Sequence, residues 1–475
     1  MKNKQNNSGF ILGSQFDVVV VGSGPAGVSA AYPLVKAGLK VAIIDAGLDS
    51  NKQDTLSDNT KIPLQYSSPA YDLMRKSSYV FNKTYQLLPI QSDIEIIQSL
   101  ARGGLSQLWS GICDYYSSDE LEAIGLPATE IQTEYQEITD RIKRRRRTDL
   151  DLHSELILKS AKKRTNLKAL VYQSLVVSYS SSLSLEDLMK YKNFTYLSNQ
   201  LVSMVSDKGL NVRIDSFVID TLQPFTTIAL FVILAAGSVN TTRILLRSFK
   251  LFDYKTTFLT KAHYLTACLH PRTLIKKDDR RRLHLGQVVM SSNKTERGLD
   301  TFFIHLYRYN PLMLHKALGY IPLPKSVSLP LLSTIINSLV VADVRFPAFE
   351  SKKEFCVLKK KRNGKDVLEI SFLESRKELE HHKNEFENIK QQLRSLGLFP
   401  LKTISGYTTA HYAGGVPFQK TAGKLSVDAN CRLRQSRRIY VADSSTWRVL
   451  PAKPPTLTIM ANASRVGKKV VGNFH

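Results

Sequence analysis

Residues 16–27 read FDVVVVGSGPAG, and this stretch decides the fold. Its first six residues form a largely β-branched run of the kind that a buried parallel strand shows. A glycine fingerprint follows, an apolar helical stretch extends from Ala26 to about Ala37, and residues 40–45 then predict a second strand. The pattern therefore predicts a βαβ unit of about 30 residues that opens a parallel sheet.

Each glycine of the fingerprint has a physical purpose. Gly22 permits the tight turn, Gly24 lets the backbone approach a pyrophosphate, and Gly27 allows the helix to pack closely on the strand. The helix N-terminus presents N–H groups and a partial positive charge to the phosphates. Asp45 ends the second strand, where a carboxylate can accept hydrogen bonds from a ribose. A coincidental turn is the alternative, but the flanking strand, helix and acid together predict a dinucleotide site.

The composition excludes several protein classes. The chain has 475 residues, of which 43% are hydrophobic and 9% aromatic, and this content is ample for a core and excludes wholesale disorder. With 24 Gly, 18 Pro and 4 Cys, collagen-like, coiled-coil and disulfide-scaffold classes are also excluded. The cysteines lie far apart without a CxxC pair, so they predict no metal site and indicate reduced thiols in a cytoplasmic protein.

The formal charge of +25 at pH 7 is the unusual feature of the composition. It predicts either an anionic partner, such as nucleic acid, a membrane surface or a phosphorylated substrate, or a solvated basic surface. No nucleic-acid-binding motif accompanies the basic run at 143–147, so no nucleic acid partner is expected and the run is interpreted as a solvated helix face. The apolar, proline-punctuated stretch 311–344 predicts either a packed core or lid, or a dock on an anionic membrane surface.

The sequence also bears on location. No apolar stretch approaches the roughly 20 residues that a membrane-spanning helix requires. The N-terminus lacks the apolar region of a secretory signal, and residues 1–14 are predicted to form a flexible polar arm. A cytoplasmic protein is therefore expected, and contact with the inner face of the membrane is the added hypothesis.

The rest of the chain predicts a return to the first sheet. Residues 195–236 read as short strands and 238–248 as a helix, so a strand–turn–helix recurs. Residues 355–372 predict a hairpin around an Asn-Gly turn, and a charged helix follows. The last 40 residues return to a strand and a helix opened by prolines.

The predicted fold class is α/β (α+β overall), with a Rossmann-like dinucleotide-binding domain and an inserted substrate domain built on an antiparallel sheet. The expected first domain is discontinuous and comprises residues 15–125, 200–255 and 405–475. The expected substrate domain comprises residues 126–199 and 256–404.

Four further segments carry a family resemblance. They are RGGLSQLWSG at 102–111, LAAGSVNTTRILL at 234–246, AHYAGG at 410–415 and YVADSSTWRVLPAKPPTLTIM at 440–460. Together with the fingerprint, and in this order, they make the chain resemble the glucose–methanol–choline (GMC) family of FAD-dependent oxidoreductases. The resemblance is weak over 50–95, 126–200 and 256–350. It implies that the dinucleotide is FAD.

The resemblance assigns the chemistry to His411, which matches the family's active-site histidine. A neutral imidazole near the flavin can accept the hydroxyl proton when an alcohol is oxidised by hydride transfer. A lone histidine is otherwise more often structural than catalytic. The family's second active-site residue, usually His or Asn, is matched here by Pro454, which can neither donate a hydrogen bond nor act as a base. Lys453 is the candidate substitute, either in catalysis or as a contact for a substrate phosphate or carboxylate.

The resemblance also implies the FAD contacts. Asp443 would lie near the ribityl chain and pyrophosphate, although an ordinary turn cap is the alternative, and Trp109 would either stack on the flavin or substrate or fill the core. No histidine stands where the family attaches FAD covalently, so non-covalent FAD is expected. The predicted cofactor-binding residues are Gly22, Gly24, Pro25, Ala26, Gly27, Asp45, Arg102, Gly103, Gly104, Ser106, Trp109, Ala236, Gly237, Asp443, Thr456 and Leu457.

The resulting expectation is an FAD-dependent oxidoreductase that acts on the CH–OH group of an alcohol or sugar. The spelling GGLSxxW with LPAK resembles a bacterial branch linked with surface-polysaccharide biosynthesis, which would make the substrate a nucleotide- or lipid-linked sugar. Pro454 leaves open a catalytically degenerate FAD-binding protein with an interaction or assembly role. The electron acceptor is not identified by the sequence.

Overall fold

The computed structural model describes residues 16–49, 78–107, 111–142, 150–164, 167–176, 179–274, 286–293, 295–308, 324, 338–361, 366–406, 410–419, 421 and 423–474. Within these ranges, no helix combines the length and apolar character needed to cross a membrane. The predicted arm at 1–14, Trp109, the basic run at 143–147 and most of 311–344 lie outside the described residues, and what the sequence predicts for them stays a prediction.

The α-helices of the described ranges are, in chain order, α1 (Pro25–Lys36), α2 (Ser78–Leu87), α3 (Ser118–Ile124), α4 (Ala128–Ile142), α5 (Leu152–Lys162), α6 (Ser181–Leu188), α7 (Ser238–Ser248), α8 (Arg376–Ser395) and α9 (Thr456–Val471). The strands are β1 (Phe16–Val21), β2 (Val41–Ile44), β3 (Ile90–Ser92), β4 (Ile112–Cys113), β5 (Ala169–Gln173), β6 (Leu175–Val176), β7 (Phe194–Leu197), β8 (Gln200–Asp207), β9 (Val212–Val218), β10 (Pro224–Leu234), β11 (Thr256–Thr257), β12 (Leu259–Thr260), β13 (His263–Leu269), β14 (Val288–Ser292), β15 (Thr295–Glu296), β16 (Leu299–Asp300), β17 (Phe303–Arg308), β18 (Leu339–Arg345), β19 (Ala348–Phe349), β20 (Phe355–Lys360), β21 (Asp366–Ser371), β22 (Phe399–Gly406), β23 (Tyr412–Ala413), β24 (Ile439–Val441) and β25 (Val449–Leu450).

The first sheet is built around the predicted βαβ unit. Its strands follow the order β7-β2-β1-β10-β9-β8, and β24 also pairs with β10. Strands β7, β2, β1, β10 and β24 are parallel, whereas β9 and β8 add an antiparallel extension. Strand β10 joins the two parts, because its N-terminal half pairs with β9 and its C-terminal half with β1 and β24. The return of the chain to this sheet, predicted from residues 438–443, is confirmed by β24.

Helices cover one face of this sheet in a layer where glycine permits close approach. Helix α9 packs against α1, and both contribute to the core cluster that contains Val18, Val20 and Ile233. A Cβ atom on Gly467 of α9 would clash with the carbonyl oxygen of Ala30 in α1 and would lie 2.6 Å from the Pro33 ring. The absence of a side chain at residue 467 therefore sets the separation between the two helices.

Substitution of Gly467 by alanine is expected to destabilise the fold. Because the added methyl meets backbone and a rigid proline ring, the helices must separate, which costs about 1–3 kcal/mol of unfolding free energy. Gly472→Ala is the matched control, since its φ is −61° and its added Cβ would meet no atom closer than 3.5 Å. Denaturant unfolding of both variants measures the difference, and equal unfolding free energies would contradict this packing.

A second sheet has six strands in the order β22-β13-β18-β17-β14-β5, all antiparallel. One face is apolar and packs on α8 through Phe386, Ile389 and Leu393. Side chains alternate between the two faces along each strand. Those on the face opposite α8 include several polar or charged residues in the central strands. Together with the first sheet, this confirms the predicted fold class, a Rossmann-like α/β domain with a second domain built on a sheet.

A third sheet bears on the domain boundaries. The predicted hairpin forms β20 and β21, and β21 pairs in parallel with β3, which is 276 residues earlier in the chain. This hairpin joins the core cluster of the first sheet, although the sequence assigns 256–404 to the substrate domain. Helix α4 and strand β7, from the segment 126–199, likewise pack against the first domain. The predicted boundaries themselves stay a prediction.

Candidate functional site

The turn between β1 and α1 leaves open space at one glycine and none at the other two. A Cβ on Gly22, whose φ is +101°, would lie 2.6 Å from the carbonyl oxygen of Ala235, and one on Gly27 would clash with the carbonyl oxygen of Gly22. A Cβ on Gly24, by contrast, would meet no protein atom within 4 Å. The turn is therefore packed against β10 and α1 on its inner side and open at Gly24, which is the shape that a bound pyrophosphate requires.

The N-terminus of α1 is suited to an anion. Its N-cap, Gly24, provides no side-chain hydrogen bond, the first turn contains no acidic residue, and Pro25 stands at the first turn without an N–H group. The N–H groups of the first turn, beginning at Ala26, thus keep their capacity to bind phosphate oxygens. Pro25, Ala26 and Gly27 lie together at this helix end, as the sequence predicts.

Asp45 lies beside the same turn. Its carboxylate accepts hydrogen bonds from Ser23 Oγ at 2.5 Å, from Tyr196 Oη at 3.0 Å and from the Ser23 N–H group at 3.3 Å. Burial raises the pKa of Asp45, and the hydrogen bonds from Ser23 and Tyr196 oppose that shift. The acid is therefore held in a fixed orientation at the carboxyl end of β2.

The second glycine-rich segment packs against the first. The N–H group of Gly103 donates to Ser23 Oγ at 2.8 Å, and a Cβ on Gly104 would lie 3.6 Å from the Cα atom of Gly24. Ser106 fixes this turn by donating to the Gly103 carbonyl at 2.6 Å. The neighbouring Arg102 guanidinium lies over the Tyr196 ring, 5.7 Å from its centroid.

Asp443 joins two chain segments on the other side of the site through hydrogen bonds. It accepts hydrogen bonds from Thr241 Oγ1 at 2.5 Å, from the Gly237 N–H group at 3.0 Å and from the Ser445 N–H group at 3.0 Å. Ala236, immediately before Gly237, touches the fingerprint turn, because a Cβ on Gly22 would lie 3.1 Å from its Cα atom. The segments around 237 and 443 are thus brought to the same place as the fingerprint, as the resemblance predicts.

The N-terminus of α9 also lacks a side-chain cap and has no acidic residue in its first turn. Thr456 is partly exposed there, whereas Leu457 is fully buried and contributes to the core. A flavin contact through Leu457 can therefore involve its backbone, since the side chain is occupied in packing.

The residues present fit FAD. The turn at Gly24, hereafter the cradle, leaves open space for a pyrophosphate. Two helix N-termini lack side-chain caps, and Asp45 stands at the end of β2. The side chain of Gln98, which precedes the second glycine-rich segment in the chain, is buried and its amide atoms have no hydrogen-bond partner within the described protein. Orphaned buried polar groups of this kind are rare in folded proteins.

His411 lies close to a charged pair that the sequence did not predict. Arg345 Nη1 is 3.3 Å from both Nδ1 and Nε2 of His411, and the other side of the guanidinium donates to Asp343 from Nε at 3.1 Å and from Nη2 at 2.6 Å. Burial, followed by the positive charges of Arg345 and Lys261, lowers the pKa of His411 well below its usual value. The imidazole is therefore neutral at pH 7.

Asp343 and Arg345 belong to the polar face of the second sheet. His263 is the direct neighbour of Arg345 across β13 and β18, and His305 is the direct neighbour of Asp343 across β17 and β18. His263 Nε2 lies 2.8 Å and His305 Nδ1 3.8 Å from the Asp343 carboxylate. Burial by itself would raise the pKa of Asp343, but Arg345 and His263 lower it well below its usual value. The carboxylate is thus ionised throughout the physiological range.

Lys261 anchors the loop before α9. It is completely buried, and its Nζ donates to the carbonyl oxygens of Lys453 at 2.7 Å and Ala452 at 3.0 Å. Burial, together with the nearby charge of Arg345, lowers the pKa of Lys261 well below its usual value. The loop that contains Pro454 is therefore held in place by a side chain from the start of the second sheet.

The Lys453 side chain is held by carboxylates. Its Nζ lies 2.8 Å from Glu120 and 3.4 Å from Asp300, and only 12% of the side chain is exposed. Burial would lower the pKa of Lys453, but Glu120 and Asp300 raise it above its usual value. Lys453 is therefore a protonated cation. The catalytic role that the sequence assigns to it stays a prediction.

Stability should fall in acid because the site buries neutral histidines. Burial, with a contribution from Arg345, lowers the pKa of His305 to about 4, whereas an unfolded histidine titrates near 6.5. The unfolded chain therefore binds more protons below pH 6.5, and the contribution of His305 to stability declines by roughly 3 kcal/mol as the pH falls to 4. Denaturant unfolding at pH 7 and at pH 4.5 tests this. An unfolding free energy that is independent of pH over this range would contradict it.

Several site residues could not be recognised from motifs. Asp343 and Arg345 occupy alternate positions in the apolar strand LVVADVR, and His305 interrupts FIHLYR. Charged residues at alternate positions of an otherwise apolar strand indicate a polar sheet face, but the pattern does not indicate what that face contacts. Trp109 lies outside the described residues. Within those residues, no group of three or more His, Cys, Asp or Glu side chains is arranged to hold a metal ion.

Comparison with known families is consistent with this geometry. A model described as FAD dependent oxidoreductase matches residues 17–178, and a model described as GMC oxidoreductase matches residues 360–463. The first match contains the fingerprint, Asp45 and the second glycine-rich segment, and the second contains His411, Asp443 and the start of α9. No curated protein matches the chain significantly.

Proposed function

We propose that the chain is an FAD-dependent oxidoreductase that oxidises the CH–OH group of a small alcohol or sugar, with His411 as the base. The observation that carries the proposal is a neutral, partly buried imidazole next to the segments that would hold FAD. The His411 segment runs beside the Asp443 cluster, since Ser444 Oγ donates to the Tyr412 carbonyl at 2.6 Å and the Gly414 N–H group donates to the Ser444 carbonyl at 3.1 Å.

Each residue has a separate role in this reaction. Bound FAD supplies the hydride acceptor at flavin N5. His411 takes the hydroxyl proton, and its lowered pKa keeps it neutral and ready to do so in mildly acidic solution. The uncapped N-terminus of α9, at Thr456, favours negative charge on the reduced cofactor. Lys453 serves as a fixed cation in the loop before α9, because a group already protonated and ion-paired cannot accept the proton.

Non-covalent FAD fits the residues near the second glycine-rich segment. Burial, with a contribution from Asp114, raises the pKa of the Cys113 thiol to about 12, so that it is not a thiolate at pH 7. The Tyr115 hydroxyl lies 3.0 Å from Thr139 Oγ1. Neither side chain therefore offers an activated nucleophile for attachment to the flavin.

The substrate class is an alcohol or a sugar. The sequences of the second glycine-rich segment and of LPAK extend the substrate hypothesis to a nucleotide- or lipid-linked sugar of surface-polysaccharide synthesis. A cytoplasmic protein that contacts an anionic membrane surface would reach such a substrate, and the net charge of +25 agrees with it.

Pro454 supports a second candidate, a catalytically degenerate FAD protein with an interaction or assembly role. Pro454 is buried in a loop held by Lys261, and proline offers no side-chain hydrogen bond where the family has histidine or asparagine. On this alternative, FAD is bound but no alcohol reduces it.

Anaerobic reduction separates the two candidates. A panel of alcohols, free sugars and nucleotide sugars is added to the yellow holoprotein, and the visible absorption of the flavin is recorded. Bleaching by one of these compounds supports the oxidoreductase acting on CH–OH donors. Flavin that only dithionite reduces would contradict that function and support the degenerate protein.

A further inference from the structure

The proposed oxidation leaves one role unfilled. As the O–H bond of the alcohol breaks, negative charge develops on the oxygen, and a hydrogen-bond donor beside the base stabilises that charge. Pro454 has no donor to offer, and three hydrogen bonds keep its loop in place: two from Lys261 Nζ to the carbonyls of Ala452 and Lys453, and one of 3.2 Å from the Tyr116 hydroxyl to the carbonyl of Lys453. A donor must therefore come from another part of the chain.

Arg345 presents its guanidinium at the required place. Asp343 accepts from Nε and Nη2, and this bidentate pair fixes the plane of the guanidinium. The remaining nitrogen, Nη1, points toward His411. Because Nη1 is 3.3 Å from both ring nitrogens, it cannot lie on the in-plane lone-pair direction of either. It lies against the ring instead and does not take the position along either lone pair that the substrate hydroxyl would use.

We propose that Arg345 is the second catalytic residue of this enzyme and that its Nη1 donates a hydrogen bond to the substrate oxygen, in the place of the group that Pro454 cannot supply. This inference rests on the proposed oxidation of a CH–OH group. The proton of the hydroxyl goes to His411, and the hydrogen on carbon leaves with its electron pair to oxidised FAD. Arg345 exchanges no proton.

The surroundings of Arg345 suit this role. Only 12% of its side chain is exposed, and the charge acts over a short distance in a water-poor site, where its effect on a developing oxyanion is strong. The charge is paired with Asp343, whose carboxylate lies 2.6 Å from Nη2. His263 and His305 flank Asp343 from the neighbouring strands, with His263 Nε2 2.8 Å and His305 Nδ1 3.8 Å from its carboxylate.

Two properties of the holoenzyme test Arg345. The first is the pKa of His411, measured by NMR titration of histidine ring nitrogens, which does not need a substrate. Removing the adjacent charge in Arg345→Ala should raise this pKa by about one unit or more. Arg345→Lys, which keeps the charge opposite Asp343, should leave it low. Arg247→Lys is the matched control, since Arg247 forms an equivalent bidentate pair with Asp366 in another part of the molecule and should leave the pKa of His411 unchanged.

The second property is kcat with the compound that bleaches the wild-type flavin. Arg345→Ala should lower kcat by about 10²- to 10³-fold with a smaller effect on KM, because the donor acts mainly in the transition state. Added guanidinium should restore part of kcat in Arg345→Ala but not in His411→Ala. The Arg345→Lys variant should keep only a fraction of the wild-type kcat. Binding of FAD, read from the visible spectrum, should be unaffected.

The outcomes are distinguishable. A kcat for Arg345→Ala within a few-fold of wild type, a failure of guanidinium to restore activity, or an unchanged His411 pKa would each overturn the proposal. If no alcohol or sugar reduces the wild-type flavin, the proposed function fails and the role of Arg345 fails with it. In that case, the NMR titration still shows whether Arg345 lies against His411.

Discussion

Replacing His411 with alanine is expected to lower kcat by about 10²- to 10⁴-fold, since positioned general bases contribute that much to a proton transfer. The imidazole is neutral because burial, Arg345 and Lys261 lower its pKa, so the proposed base is in its proton-accepting form at pH 7. Without it, water would have to take the hydroxyl proton. The rate of anaerobic flavin reduction by the substrate measures the loss.

The control for this variant is His381→Ala. His381 lies on α8 with 51% of its side chain exposed, near Glu296, and it should leave the rate unchanged. Both variants should retain the yellow colour of bound FAD. A His411→Ala protein that reduces its flavin within a few-fold of the wild-type rate would remove His411 from the proton transfer and leave the cofactor assignment intact.

Replacing Gly24 with valine is expected to weaken FAD binding while the protein still folds. The backbone at residue 24 is extended, with φ −63° and ψ 179°, a conformation that valine adopts readily. The new side chain would meet no protein atom near its Cβ, but it would enter the space that the pyrophosphate needs. Crowding of this kind costs about 1–3 kcal/mol, which corresponds to a loss of about 10- to 100-fold in affinity for FAD.

Two measurements separate a binding defect from a folding defect in Gly24→Val. Denaturant unfolding of the apo forms should give wild-type stability, and titration with FAD should show the weakened affinity. Gly472→Ala, at the C-terminal end of α9 and away from the cradle, is the matched control and should bind FAD normally. Normal FAD affinity in Gly24→Val would contradict a pyrophosphate site at this turn.

The cofactor half of the site could be predicted because its information is local. The strand, the glycine turn and Asp45 lie within 30 residues, and the conformation of the backbone at each position explains which residue stands there. The structure accordingly brings Gly24, Gly104 and Asp45 to one turn. Asp443 joins them by hydrogen bonds to the segment at 237–241, as the order of the motifs indicated.

The polar face of the second sheet could not be predicted in the same way, because it depends on strand register. His263, Asp343 and His305 are brought together only by the pairing of β13, β18 and β17, and a shift of one residue would turn their side chains to the apolar face. No local pattern specifies that register. The same reason explains why the parallel pairing of β3 with β21 was not anticipated.

Adjacency in sequence and proximity in space point to two different residues as the partner of His411. Lys453 stands next to Pro454 and was therefore the natural substitute for the missing side chain. The structure surrounds its ammonium group with Glu120 and Asp300, while the residue that approaches His411 is Arg345, more than 100 residues earlier. The side chains of a site act together because they are close in space. A sequence motif reveals that proximity only when one segment contains all of them.

Titration of the purified apo protein with FAD, followed by visible absorption, tests the central claim most directly. We expect saturation at one FAD per chain, a visible spectrum typical of a bound flavin and, if the proposed non-covalent attachment holds, release of FAD on denaturation. A protein that takes up no FAD in its folded state would contradict both the cradle at Gly24 and the oxidoreductase function built upon it.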